Sequence, residues 1–113
     1  IHSALSGLAA FEKEIDVTAH NVANVNTNGF KKSRTEFVAV ATGGVLPVVQ
    51  KDDSAGPTVL NNNGYNPALV ELSNVDLGDE AVNQILAQRG FEANLRTLHT
   101  ADEMLGTILD MKK

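Results

Sequence analysis

A mainly α fold is predicted, with long N- and C-terminal helices forming a coiled-coil hairpin and a small irregular β-hairpin region between them. Three observations predict it. Apolar residues recur in a 4-3 alternation near the start of the chain and again over its last third. The middle is short, β-branched and broken by Gly, Pro and Asn. The 113 residues hold four Phe, one Tyr and no Trp, too few large rings for an ordinary globular core but enough for helices packed along narrow seams.

The first helix is expected near residues 3 to 25. Ile1, Ala4, Leu8, Phe11, Ile15, Thr18, Val22 and Val25 follow the alternation, while Glu12, Lys13, Glu14 and Asp16 lie off it. Ser3 or Ser6 is expected to cap its start, and its length would be about 35 Å. Four asparagines then fall between positions 21 and 28, followed by Gly29. Asn side chains compete for backbone hydrogen bonds, and glycine takes positive φ without a β-carbon penalty. A helix end and a tight polar reversal follow, with Gly29 at φ > 0 and Asn24 or Asn26 bonded to backbone.

The middle zone, residues 32–72, reads as a β and loop insert. Glu36 to Ala41 and Val45 to Gln50 are strand candidates, joined by Thr42-Gly43-Gly44. Ser54-Ala55-Gly56-Pro57 and Asn61 through Pro67 are turn clusters, with short strands at Val59-Leu60 and Ala68 to Leu72.

The last helix is expected from about Asp76 to Met111. Ser73, Asn74 and Asp76 offer caps, Asp79 and Glu80 suit the first turn, and Lys112 and Lys113 suit the far end of the dipole. Phe91, Leu95, Leu98, Leu105 and Leu109 hold the seam, with Asp102 as its polar exception. Ile85, Leu86, Ala101 and Ile108 widen the apolar surface. Gly78, Gly90 and Gly106 each cost about 1 kcal/mol relative to Ala in a helix interior. Gly90 is therefore expected to be a weak point, and the helix to depend on a partner surface. The seams of residues 1–31 and 73–113 are read as one unit of paired helices, with Leu8, Phe11, Ile15 and Val22 meeting Phe91, Leu95, Leu98 or Leu105.

Chemistry is not legible. With no Cys there is neither disulfide nor thiolate ligand. His2, His20 and His99 lack metal-ligand spacing, and His99 with Asp102 or Glu103 reads as a surface pair. Gly43-Gly44 has no following Lys-Ser/Thr, so it is no phosphate loop. Asp52-Asp53-Ser54 reads as a solvated turn. No catalytic residue, cofactor or metal is expected. The net charge of −5 argues against nucleic acid, and the one basic run, Lys31-Lys32-Ser33-Arg34, reads as a solvated loop. No window is apolar enough to cross a bilayer, and no Sec-type signal pattern opens the chain.

Two wordings are more specific than this physics. Asn21-Val22-Ala23-Asn24-Val25-Asn26-Thr27-Asn28-Gly29-Phe30-Lys31 resembles the N-terminal signature of the bacterial flagellar rod and hook family. Ser73-Asn74-Val75-Asp76-Leu77, Ala87-Gln88-Arg89-Gly90-Phe91-Glu92-Ala93-Asn94 and Thr100-Ala101-Asp102-Glu103-Met104-Leu105 resemble that family's C-terminal helix. The resemblance implies a structural subunit whose terminal helices assemble into an axial tube. The assembly elements it implies are Asn21, Asn24, Asn26, Thr27, Gly29 and Phe30, then Asn74, Val75, Gln88, Arg89, Glu92, Asn94 and Leu105. Partners would be other rod and hook subunits, copies of itself and the flagellar export apparatus, and the place would be the periplasm-spanning rod of the basal body. The short middle zone suits a proximal-rod type. The competing readings are a non-flagellar coiled-coil adaptor or export regulator, an ordinary helical hairpin, and a small hydrolase, which would need a cleft with converging polar groups.

Overall fold

The computed structural model describes residues 1–62 and 67–111. The element order is α1 (His2–Ala23), β1 (Ser33–Ala39), β2 (Val45–Lys51), β3 (Thr58–Asn62), β4 (Pro67–Glu71) and α2 (Leu77–Met111). Both terminal helices and four short strands are present, but β1 starts three residues before the predicted Glu36, and Asn61, Asn62 and Pro67 of the predicted turn cluster belong to β3 and β4. Residues 63–66 of the predicted Asn61 through Pro67 turn cluster, and Lys112 and Lys113, lie outside the described residues.

Helix α1 ends at Ala23, two residues before the predicted Val25, because Asn24 leaves helical geometry at φ −106° and ψ 15°. Neither Ser3 nor Ser6 caps its start. Ser6 instead donates to the Ser3 carbonyl at 2.8 Å and accepts the Val45 amide at 3.1 Å, tying α1 to the start of β2. At α2 the predicted cap is made: Asp76 Oδ1 accepts the amides of Gly78 at 2.9 Å and Asp79 at 3.4 Å.

Strands β1 and β2 pair antiparallel, with Ser33 opposite Lys51 and Phe37 opposite Pro47. This ladder packs on α1, where Phe11 meets Phe37 edge to face at 4.9 Å between ring centroids. Strands β3 and β4 form a second antiparallel pair, from Thr58 opposite Glu71 to Asn62 opposite Pro67. Val59, Leu60 and Leu69 stay open to solvent, Leu69 at 74% exposure.

The two helices lie antiparallel in a constant register. Gly7 abuts Asn94, Phe11 abuts Gly90, and Asn21 bonds Glu80. On α2 the packing stripe differs from the predicted leucine seam, whereas on α1 it keeps Ala4, Phe11 and Thr18 of the predicted alternation. On α1 it uses Ala4, Gly7, Thr18 and Asn21, and on α2 Glu80 and Ala87, all buried. Leu95 and Leu105 remain 49% and 48% exposed, so knobs of leucine along a 4-3 seam are not what joins the helices. The reason lies in the glycines. A β-carbon at Gly7 would fall 2.7 Å from Asn94 Oδ1, and one at Gly90 would fall within 3.0 Å of the Phe11 ring. Close approach through small residues turns the larger apolar side chains of α2 away from α1. Gly90 is thus a seat for Phe11 rather than a weak point.

The register leaves α2 longer than its partner. Ile1 shares a groove with Leu95, Leu98, His99, Asp102 and Leu105. Residues 102–111, of which Asp102 and Leu105 edge that groove, span about 15 Å and are all exposed. The molecule measures 84 × 25 × 14 Å, with a radius of gyration of 20.8 Å against about 13 Å for a compact domain of this length.

Candidate functional site

The two motif segments come together at three polar junctions. At the first, Asn21 is 1% exposed and joins three elements. Its Nδ2 donates to the Ser33 carbonyl at 2.8 Å and to Glu80 Oε1 at 3.1 Å, and its Oδ1 accepts the Ser33 amide at 3.0 Å. A side chain that offers both a donor and an acceptor to a strand backbone acts as a local strand partner. Asn21 therefore fixes where β1 begins relative to both helices, beyond the local turn geometry expected of it.

The second junction is the reversal after α1. Asn24 Nδ2 donates to the His20 carbonyl at 2.9 Å, and Asn24 Oδ1 accepts the Thr27 hydroxyl at 3.0 Å. Gly29 sits at φ +73°, and its amide donates to the Glu71 carbonyl at 2.9 Å. Phe30 packs edge to face against His20 at 5.6 Å. Asn26 lies exposed at the tip.

The third junction centres on Asn74. Its Oδ1 accepts the Lys32 amide at 2.7 Å, and its Nδ2 donates to the carbonyls of Asp52 at 2.9 Å and Ser54 at 3.0 Å. Beside it Lys31 Nζ bonds Glu71 Oε1, which also accepts the Gly56 amide at 3.0 Å. The Lys31 bond, then the Gly56 amide, hold the Glu71 carboxyl below the usual carboxylate range. The backbone and side-chain hydrogen bonds from Ser54 do the same for Asp52. The basic run is therefore no solvated loop: Lys31 pairs with Glu71, Lys32 lies 3.8 Å from Asp52, and Arg34 lies 3.5 Å from Glu36.

Val75 is half-buried behind the Asn74 junction, its amide held by Ser73 Oγ at 3.1 Å. On α2, Asn94 donates to the Gly90 carbonyl at 2.9 Å and fills the space over Gly7. Gln88 and Arg89 are exposed, and Arg89 reaches Glu92 at 3.5 Å. His99 pairs with Glu103 at 3.2 Å, as its spacing suggests. Leu8, Ile15, Val22, Phe91 and Leu98 are half-buried at the edges of the helix pair.

Sequence reasoning missed Glu71 and the true part of Glu80. Glu71 closes the Lys31 junction from forty residues away, which no local spacing reveals. Glu80 was read only as a first-turn acid, yet it is 3% exposed. Among the described residues, no group of three or more His, Asp and Glu is placed to hold a metal ion. No described helix is long and apolar enough to cross a membrane.

These junctions sit inside segments with known relatives. The family model described as flagella basal body rod protein matches residues 1–31, and that described as flagellar basal body rod FlgEFG protein C-terminal matches residues 67–111. The flagellar hook protein FlgE of Borreliella burgdorferi is 32% identical over 90 residues, 78% of this chain and 19% of the relative. The flagellar hook protein FlgE of Treponema pallidum is 46% identical over 44 residues, 39% of this chain and 10% of the relative. The flagellar basal-body rod protein FlgG of Bacillus subtilis is 46% identical over 44 residues, 39% of this chain and 17% of the relative. The matched stretch thus spans less than a fifth of each of these relatives.

Proposed function

We infer the function from one premise: the chain belongs to the bacterial flagellar rod and hook family. It is a structural subunit of the flagellar axis, without catalytic activity, and joins neighbouring subunits through the exposed faces of its terminal helices. The supporting observation is its surface. The folded chain exposes 7969 Å², against about 6,000 Å² for a compact monomer of this size. That excess is of the order buried in an obligate interface. Much of it is apolar and lies on α2, including Ile85 at 57%, Leu86 at 60% and Leu109 at 63% exposure. Large apolar side chains spread over several faces of one helix suit burial by neighbours on more than one side.

Its partners in this reading are other rod and hook subunits and further copies of itself, reached after passage through the export apparatus. Copies that stack through different patches form an open, non-closing array. The short insert between the two matched segments favours a rod position near the proximal end over a hook position. The basic run at residues 31–34 faces acidic partners within the chain, which disfavours it as a phosphate contact.

Leu95→Asp and Leu105→Asp test this reading. Both side chains are about half exposed, so folding stability should change by less than about 1 kcal/mol. Incorporation into basal bodies should be lost, and swimming with it, whereas a change at the exposed Asp53 should be tolerated. Complete basal bodies containing either Leu variant would favour the adaptor reading instead.

A further inference from the structure

Two asparagines of the chain are followed directly by glycine, at Asn28-Gly29 and Asn63-Gly64, and the first pair lies in the reversal after α1. That order carries a reaction of its own. Asn is among the thermolabile residues. Glycine has no side chain to crowd its amide nitrogen, so this nitrogen can reach the carboxamide carbon of the Asn before it. Asn28 and Gly29 are both exposed, and nothing lies within 4 Å of where a β-carbon on Gly29 would sit. Crowding therefore does not protect the pair; hydrogen bonds do. The Gly29 amide donates to the Glu71 carbonyl at 2.9 Å. The Phe30 amide donates to the Thr27 carbonyl at 3.2 Å, and the Phe30 carbonyl accepts the Asn74 amide at 3.3 Å. The backbone is held on both sides of the Asn28–Gly29 peptide bond, and the nitrogen that would react has its proton committed to the end of β4.

We propose that Asn28–Gly29 is a latent self-modification site, held inert by the bond from Gly29 to Glu71 and reactive only where the reversal is open. In the open chain the Gly29 amide nitrogen gives up its proton and attacks Asn28 Cγ. The N–Cγ bond forms, the Cγ–Nδ2 bond breaks, and Nδ2 leaves as ammonia with the proton from Gly29. Water then opens the cyclic imide at either of its two carbonyls. One opening leaves an aspartate in place of Asn28. The other leaves an isoaspartate, whose backbone runs through the former side-chain carbons. Nothing is oxidised or reduced: water replaces ammonia. The isoaspartate form adds a methylene to the main chain just ahead of Gly29. That shift would draw Lys31 and Lys32 away from Glu71 and Asn74, to which they are bonded. The chemistry stands apart from the axial-subunit reading, and only its consequence rests on it. A copy held unfolded before assembly ages at this site, and a folded copy does not.

The test compares the full chain folded in buffer with the same chain unfolded in guanidinium chloride, both at one mildly alkaline pH. Peptides carrying Asn28 and Asn63 are followed by mass spectrometry, and isoaspartate by enzymatic methyl labelling. In denaturant the two asparagines should convert at similar rates. In the folded chain Asn28 should convert about tenfold more slowly or slower still, because only the open fraction reacts. Glu71→Gln weakens the Lys31 junction and keeps the backbone carbonyl. It should speed conversion of Asn28 in the folded chain and leave the rate in denaturant unchanged. Chains aged in denaturant and then refolded should melt lower as isoaspartate at position 28 accumulates. Asn28→Ser aged alongside retains the reaction at Asn63 and should lose less. Equal rates for Asn28 in the folded and unfolded chain overturn the proposal. So does an Asn28 that stays intact in denaturant while Asn63 converts. Either result leaves the axial-subunit reading standing, since that reading fails separately, through the protein's absence from basal bodies.

Discussion

Gly29 shows how a single residue can be read from sequence alone. Its φ of +73° is the left-handed conformation that a β-carbon penalises, and nothing lies within 4 Å of where that carbon would sit. The cost of substitution is thus purely one of backbone. Gly29→Val should lower stability by about 1 kcal/mol or more in thermal or urea denaturation. A variant that melts like the parent would show that the turn relaxes to negative φ. Asn21 was equally visible as one of a cluster of asparagines, but its task was not. A local pattern cannot show that its three bonds reach a strand twelve residues on and a helix fifty-nine residues on. Glu80 was hidden for the same reason: at a helix start, exposed and buried acids look alike in sequence.

At the scale of elements, helix limits were legible and helix faces were not. The 4-3 alternation and the Asp76 cap gave α2 its extent from Leu77 to Met111. The same alternation pointed to Leu95 and Leu105 as the inner seam, whereas Gly7 and Gly90 set the contact. Apolar periodicity marks a face that wants burial, without saying whether the same chain or a neighbour will bury it. Gly90→Ala distinguishes the two uses of that glycine. Helix propensity alone would stabilise it by about 1 kcal/mol. The added carbon would push Phe11 off its seat and away from Phe37, and overpacking costs about 1–3 kcal/mol. The variant should therefore melt below the parent, and a higher melting temperature would show that Phe11 moves cheaply. The Glu71 junction ties β4 to the reversal after α1 and to the loop at Gly56. Its carboxyl is held below the ordinary value in the folded chain, so its contribution is full above the unfolded carboxylate range and is lost as pH falls through the folded value. Stability should decline below about pH 4.5, the ordinary value for a Glu carboxyl. Glu71→Gln should flatten that part of the profile measured by denaturant titration, and an unchanged acid limb would place the loss elsewhere.

The whole molecule is a ribbon whose two helices are unequal. Where α1 lies against α2, both helices gain buried positions, and beyond the register limit α2 has none. Local stability should fall accordingly along one continuous helix. In hydrogen exchange on dilute protein, amides of residues 102–111 should exchange orders of magnitude faster than those near Ala87. Association with copies should slow the fast set most. Uniform exchange along α2 would mean that the projecting end holds itself in place.

The narrowest dimension, 14 Å, is little more than the width of one helix with its side chains. Such a body is a plank, and a plank bends readily across its thin direction. Planks bonded face to face resist bending far more than the same planks lying loose, because the glue lines prevent slip between layers. In a column of these chains, rigidity would accordingly belong to the joints between copies rather than to any one copy, and loosening a joint would soften the column before it broke it.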